Sequence, residues 1–101
     1  MPHIRYSPEA TLDLKRFSEF FVTAPEVASQ AVVAIIEAID VLIEAPMIGR
    51  PYEMDGRSGY QELVISFGKG GYLALYRYDK EADVVDVLAM RSQRELKYVK
   101  F

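Results

Sequence analysis

The hydrophobic period of the chain changes once. Over residues 8–45 apolar side chains recur at helical spacing, and over residues 63–90 they alternate or run in short blocks. Ahead of both, residues 3–6, HIRY, read as a short strand. Ser7-Pro8-Glu9 is a helix start: Ser caps, Pro is tolerated in the first turn, and Glu suits the positive end of the helix dipole. Ala10, Leu14, Phe17 and Phe21 then follow at spacings of four, three and four, which places them on one face. Thr23-Ala24-Pro25-Glu26 ends this helix and starts another. The Thr-x-x-Glu spacing fits a capping box, and Pro25 makes Ala24 an equally good cap. Ala28, Ala31, Val32, Ile35, Ile39 and Leu42 form the second stripe. Val33, Ile36 and Ile43 widen it, so cover on two sides is expected for this helix. Ala45-Pro46 ends it.

Pro46-Met47-Ile48-Gly49-Arg50-Pro51 reads as a stiff loop, and residues 52–59 as polar and irregular. The period-two pattern begins after them. Leu63, Ile65 and Phe67 alternate with Glu62, Val64 and Ser66. Gly68-Lys69-Gly70-Gly71 is a turn. Tyr72 to Tyr78 is a second strand, with Tyr72, Ala74, Tyr76 and Tyr78 on one face and Leu73, Leu75 and Arg77 on the other. Asp79-Lys80-Glu81-Ala82-Asp83 is a second turn, and Val84 to Met90 a third strand. Tight polar turns between short runs predict an antiparallel meander. The expected fold is therefore α+β: a short N-terminal strand, then a two-helix hairpin packed on a three-stranded antiparallel meander, in one domain spanning residues 1–101. The sheet face away from the helices is left partly open.

Composition narrows the function without naming it. The chain has 101 residues, half of them hydrophobic, and a net charge of −3, which is not the balance of a general nucleic-acid binder. The charge is uneven. Residues 1–50 hold four Lys/Arg against seven Asp/Glu, whereas the last eleven residues hold Arg91, Arg94, Lys97 and Lys100 against Glu95 alone. There is no cysteine, so no disulfide framework is possible, and the opening MPHIRYSPEA lacks the apolar core of a signal peptide. The longest apolar stretch, AVVAIIEAIDVLIEA, is broken by Glu37, Asp40 and Glu44. These features predict a cytoplasmic protein with no membrane partner.

Several chemical readings fail on spacing. The glycines of Gly68-Lys69-Gly70-Gly71 lie between two strands, not at the helix start that a phosphate-binding loop needs. Asp79, Glu81 and Asp83 resemble the start of a calcium loop, but its glycine position holds Val84 and its final glutamate position Met90. One histidine, His3, and no cysteine make a metal centre or an acyl-transfer triad unexpected, and no cofactor is called for.

What remains is LAMRSQRE, residues 88–95, where a hydrophobic run turns directly into Arg91-Ser92-Gln93-Arg94-Glu95, with Tyr98 just beyond. Arginines hold phosphate or carboxylate through a planar fork. Metal-free RNA cleavage needs a base, an acid and cations for the charge on the phosphorane. Glu95 or Tyr98 could serve as acid or base, with Arg91 and Arg94 as clamps. The same residues, with Arg50, Arg77, Ser92 and Gln93, could instead form a polar edge or a docking surface for another protein. Spacing alone favours this second reading, because arginines near a strand end are a weak signal of catalysis.

In order, the segments IRYSPEATLDL, APMIGRP, ELVISFG, GGYLALYRYD and VLAMRSQRE, followed by Tyr98, resemble the RelE/ParE family of bacterial toxins from toxin–antitoxin pairs. The resemblance covers most of the chain. It implies a toxin neutralised by an antitoxin, which is expected to lay a helix or extended segment against the helix hairpin and the open sheet face. It also leaves room for a homodimer or a two-plus-two toxin–antitoxin complex. Two activities share this family fold: ribosome-dependent mRNA cleavage and ParE-type inhibition of DNA gyrase. In the cleavage branch the resemblance makes Arg91, Arg94 and Tyr98 catalytic candidates, since the nucleases keep an arginine and a tyrosine there, and Glu95 joins them as the possible acid or base named above. This sequence departs from that branch. Leu73 stands where the nucleases carry an arginine, and Val64, Ile65 and Ser66 stand where they carry lysines. Ser92 replaces a histidine common in relatives, and a serine cannot shuttle protons near neutral pH. The expected activity is therefore gyrase inhibition by protein–protein binding rather than an enzyme. The alternatives are a ribosome-dependent mRNA endonuclease and a detoxified member that only binds antitoxin.

Overall fold

The computed structural model describes residues 1–99. Lys100, counted above in the basic tail, lies outside them. The elements in chain order are β1 (His3–Tyr6), α1 (Pro8–Phe20), α2 (Pro25–Asp40) with a closing 3-10 turn (Val41–Ile43), β2 (Arg50–Met54), β3 (Arg57–Phe67), β4 (Gly70–Asp79) and β5 (Val84–Ser92). One five-stranded sheet runs in the order β1-β5-β4-β3-β2. Strands β2 to β5 form an antiparallel meander, and β1 joins β5 in parallel. The α+β architecture is the expected one.

The meander has four strands rather than three. Residues 52–59, expected to be irregular, form most of a hairpin in which Met54 pairs with Arg57. Asp55 and Gly56 have φ of 51° and 74°, the two positive values of a type I′ turn. β2 is an edge strand carrying Pro51, exposed along most of its length, so no buried face imprints a period-two pattern on it.

Helix α1 starts as its sequence directs. The Ser7 hydroxyl accepts from the Ala10 N–H at 3.0 Å and donates to the Leu88 carbonyl at 2.7 Å, so the cap also docks the helix on β5. Helix α2 takes Ala24 as its cap, with Pro25 in the first turn and no side-chain cap bond, so Thr23 does not close a capping box. Phe17, Ala31, Ile35, Ile39 and Leu42 pack on Tyr72, Ala74, Tyr76, Val85, Val87 and Met90 of the sheet. Helix α2 is covered on two sides, by α1 and by the sheet, as its wide apolar stripe predicts, but Val33 and Ile36 lie outside that cover and are exposed.

Met90 reaches this core because β5 carries a bulge. Leu75 pairs with Ala89 and Tyr76 with Val87, leaving Leu88 without a partner residue. The extra residue shifts the alternation by one. Val85 and Val87 before it, and Met90 after it, therefore all face the helices, while Ala89 faces away with Leu75.

β1 ends at Tyr6, and beyond that point the outer edge of β5 has no neighbouring strand among the described residues. The start of α1 completes it. The Ser7 N–H donates to the Val87 carbonyl at 2.9 Å. Asp13, buried on α1, accepts from the Met90 N–H at 2.8 Å. Backbone groups of an edge strand must find partners or meet water. Here the start of α1 supplies them, from the backbone N–H of its cap and from the Asp13 side chain.

Candidate functional site

On the face away from the helices, Arg50, Glu62, Leu75 and Ala89 stand in one row across β2, β3, β4 and β5, and Val64, Leu73 and Arg91 in the next. The loop before β2 sets this register. The Gly49 N–H donates to the Tyr76 hydroxyl at 2.8 Å, and the Gln61 amide donates to the carbonyls of Met47 and Gly49 at 3.1 and 2.9 Å. A Cβ on Gly49 would lie 2.6 Å from the Tyr76 oxygen, so only glycine lets the loop approach this closely. Arg50 is thereby held opposite Glu62.

Glu62, only 2% exposed, is the hub of the face. One carboxylate oxygen accepts from Arg50 Nε and Nη2 at 3.0 and 2.6 Å. The other accepts from the Tyr98 hydroxyl at 2.5 Å and lies 3.9 Å from Arg91 Nη2. The Arg91 guanidinium sits 5.4 Å over the Tyr98 ring and donates to the Glu95 carbonyl. Its Nε is buried without a hydrogen-bond partner among the described residues. The Tyr98 ring meets Tyr52 edge-on, with centroids 6.0 Å apart. Burial first, and then the Glu62 carboxylate, push the Tyr98 phenol far above its ordinary pKa.

The tail after β5 thus folds back over this face. Leu75, Ala89 and Tyr98 form a second small core with Tyr52, Tyr60 and Leu88, leaving the face more closed than the strand pattern predicts. What stays open is a hollow of about 250 Å³ lined by Arg50, Val64, Leu73, Arg91 and Gln93. The Arg50 side chain is 59% exposed there, and that of Arg91 16%.

Glu95 belongs to a different set of contacts. Arg16 Nη1 donates to both Glu95 carboxylate oxygens at 2.9 Å, and Arg16 Nη2 donates to Asp13 at 3.2 Å. The Ser92 N–H donates to Glu95 at 2.9 Å. Burial works against the charged form of Glu95, but the Ser92 N–H and the Arg16 guanidinium outweigh it, and the carboxyl is held below its ordinary range.

Strand alternation therefore divides the terminal motif. Arg91 and Gln93 line the hollow over Leu73, whereas Ser92, Arg94 and Glu95 line a larger cavity beside Phe17 of α1. Arg77 is on the same face as Arg91 but four residues along β4 from Leu73, roughly 13 Å away. Of the residues singled out in the sequence, the structure brings together Arg50, Arg91, Gln93 and Tyr98. Glu62, Tyr52, Asp13 and Arg16 were not singled out. Glu62 left one signal, as a charged residue at the start of the apolar run ELVISF.

A family model described as the ParE toxin of the type II toxin–antitoxin system parDE matches residues 4–97. The chain belongs to this ParE toxin family. The ParE-family fold is also found in solved structures. A chain of the chromosomal ParDE system from P. aeruginosa superposes with a TM-score of 0.73 at 23% identity, covering 91% of this chain and 96% of that one. A chain of the RelBE2 toxin–antitoxin complex from Mycobacterium tuberculosis gives 0.62 at 24% identity, covering 92% and 100%. A chain of the intact E. coli RelBE complex gives 0.61 at 15%, covering 94% and 100%. At these identities the likeness is one of fold, and it extends to both ParDE and RelBE. Among curated proteins no sequence match is found. Among the described residues of this ParE-family toxin, no helix is long and apolar enough to cross a membrane.

Proposed function

We propose that this ParE-family chain acts in the cytoplasm as a growth-arrest toxin silenced by an antitoxin, and that its target is DNA gyrase, bound through the Arg50–Arg91–Gln93 face. The observation carrying this reading is the engagement of that face by Glu62. RNA cleavage without a metal needs a free acid, a free base and free cations at one phosphate. The Tyr98 proton is committed to Glu62. Glu95 is held ionised by Arg16 on the other side of the strand. Arg91 is committed to the Tyr98 ring and the Glu95 carbonyl. A rigid, tyrosine-backed arginine face suits docking on a protein better than proton transfer. The antitoxin is supported by the matched folds, which come from a ParDE system and from RelBE complexes.

The test is twofold. Pulse-labelling in a bacterial host without antitoxin is expected to show thymidine incorporation falling while amino-acid incorporation continues. Purified chain is expected to block supercoiling of relaxed plasmid by gyrase. Unchanged supercoiling at large molar excess removes the gyrase reading. One observation favours the second reading, an mRNA endonuclease: the open hollow is lined by two arginines, Arg50 and Arg91, with Gln93. Translation stopping first, with the effect lost in Arg91→Ala, would establish it. No growth arrest at all would leave a detoxified, antitoxin-binding chain.

A further inference from the structure

A second, larger cavity lies on the opposite side of the sheet from the Arg50–Arg91 face. It measures about 540 Å³ and opens between the end of α1, the β3–β4 turn and the tail after β5. That volume is in the range that binds a whole small ligand or a large side chain. Its walls are Phe17, Phe20, Phe21, Phe67 and Tyr72. The Phe17 and Tyr72 rings are 4.6 Å apart, Phe67 and Tyr72 6.3 Å, and Phe21 and Phe67 6.5 Å. Phe20 stands at the mouth with 75% of its surface exposed, an unusual position for a ring in a water-facing helix.

The rim has the opposite sign to the chain as a whole. Lys69 and Arg94 line it and are exposed, and Arg16 lines it with Glu95 as its only acidic neighbour there. Arg16 is occupied by Asp13 and Glu95. Lys69 and Arg94 are therefore the cations turned toward an incoming group, on a chain of net charge −3. An aromatic pocket flanked by two exposed cations selects an apolar side chain flanked by carboxylates. A stacked nucleobase fits less well, because the wall rings meet at 41°, 70° and 37° and present edges rather than one flat platform.

We infer that this cavity receives a large apolar side chain from an acidic segment of the antitoxin. The inference rests on the toxin–antitoxin reading above. The occupant is assigned to the antitoxin rather than to the target because the cavity is on the helix side of the sheet, away from the target-facing arginines. A segment seated here holds the toxin by a surface the target does not use.

The chain contains no tryptophan, so a probe can supply the only indole signal. The probe is the peptide acetyl-Asp-Glu-Trp-Glu-Asp-amide, followed by fluorescence on titration with the full chain. Its emission is expected to shift to the blue and saturate, while the same peptide with lysines in place of the acids does not shift. Lys69→Glu with Arg94→Glu is expected to weaken binding by about tenfold or more, from two reversed surface pairs. Phe20→Ala, which removes an exposed ring and leaves the buried core intact, is expected to weaken it as well. Equal binding of the lysine peptide, no shift at millimolar chain, or displacement of the peptide by a single-stranded oligonucleotide at the same cavity overturns the inference. Growth arrest reports separately on the toxin reading. A chain that arrests growth and ignores the peptide overturns only the cavity's role, and a chain that binds the peptide without arresting growth overturns only the toxin reading.

Discussion

Replacing Tyr98 with phenylalanine removes one oxygen and keeps the ring. The ring contact with Tyr52 and the place beneath Arg91 remain. What goes is the 2.5 Å bond to Glu62, a length typical of a hydroxyl donating to an ionised carboxylate. Glu62 Oε2 would then lean on Arg91, at 3.9 Å, beyond hydrogen-bond distance. Losing a hydrogen bond to a charged group costs about 1.5–3 kcal/mol. Glu62 is too buried for water to take over cheaply. For a chain near 100 residues, each kcal/mol lowers the melting temperature by about 4–5 °C, so the expected drop is about 6–15 °C. Urea unfolding followed by far-ultraviolet circular dichroism measures the same loss as a shifted midpoint with an unchanged slope. A double-mutant cycle with Glu62→Gln isolates the pair and should give a coupling above about 1 kcal/mol. A Tyr98→Phe variant within about 0.5 kcal/mol of the parent refutes the argument that Glu62 organises the face.

Two further predictions concern the supports of that face. Glu95 has a folded pKa below its unfolded value near 4.5. Its contribution is therefore complete above that value and lost as pH falls through the folded pKa, so the stability gap between parent and Glu95→Gln should be widest at neutral pH and close in acid. A gap that grows on acidification contradicts the assignment. Gly49→Ala places a methyl carbon against the Tyr76 hydroxyl and the Glu62 carbonyl. It should destabilise the chain by about 1–3 kcal/mol, read as a lower urea midpoint, and a neutral result means that the loop yields without disturbing β2.

The helices and the three central strands were legible because each buries one face, and burial writes its period into the residues. Ser7, Phe17, Ile35 and Tyr76 all occupy the roles their spacing assigns. β2 was not legible, since an edge strand with little buried surface has no period to read, although Asp55-Gly56 signalled its turn. The bulge at Leu88 is invisible as a pattern in VVDVLAM, where every candidate position is apolar except Asp86. The site was only half legible. Arg91 and Tyr98 stand out as residue types, but the carboxylate joining them comes from a strand 29 residues earlier than Arg91, and long-range pairing is not encoded in local spacing. The compact string Arg91-Ser92-Gln93-Arg94-Glu95 suggested one surface. A strand and its turn send neighbours to opposite sides, and the molecule uses it as two.

The parallel pairing of β1 with β5 has a consequence for synthesis. Arg5 and Asp86 are joined across 81 residues, with bonds of 2.8 and 3.2 Å. During translation β1 and the cap at Ser7 emerge well before the strand they require. The helix hairpin can form early from local contacts, but its floor on β5 cannot. Arg91 and Tyr98 arrive later still. A nascent chain that has not yet reached Tyr98 therefore has neither a closed sheet nor its arginine–tyrosine face.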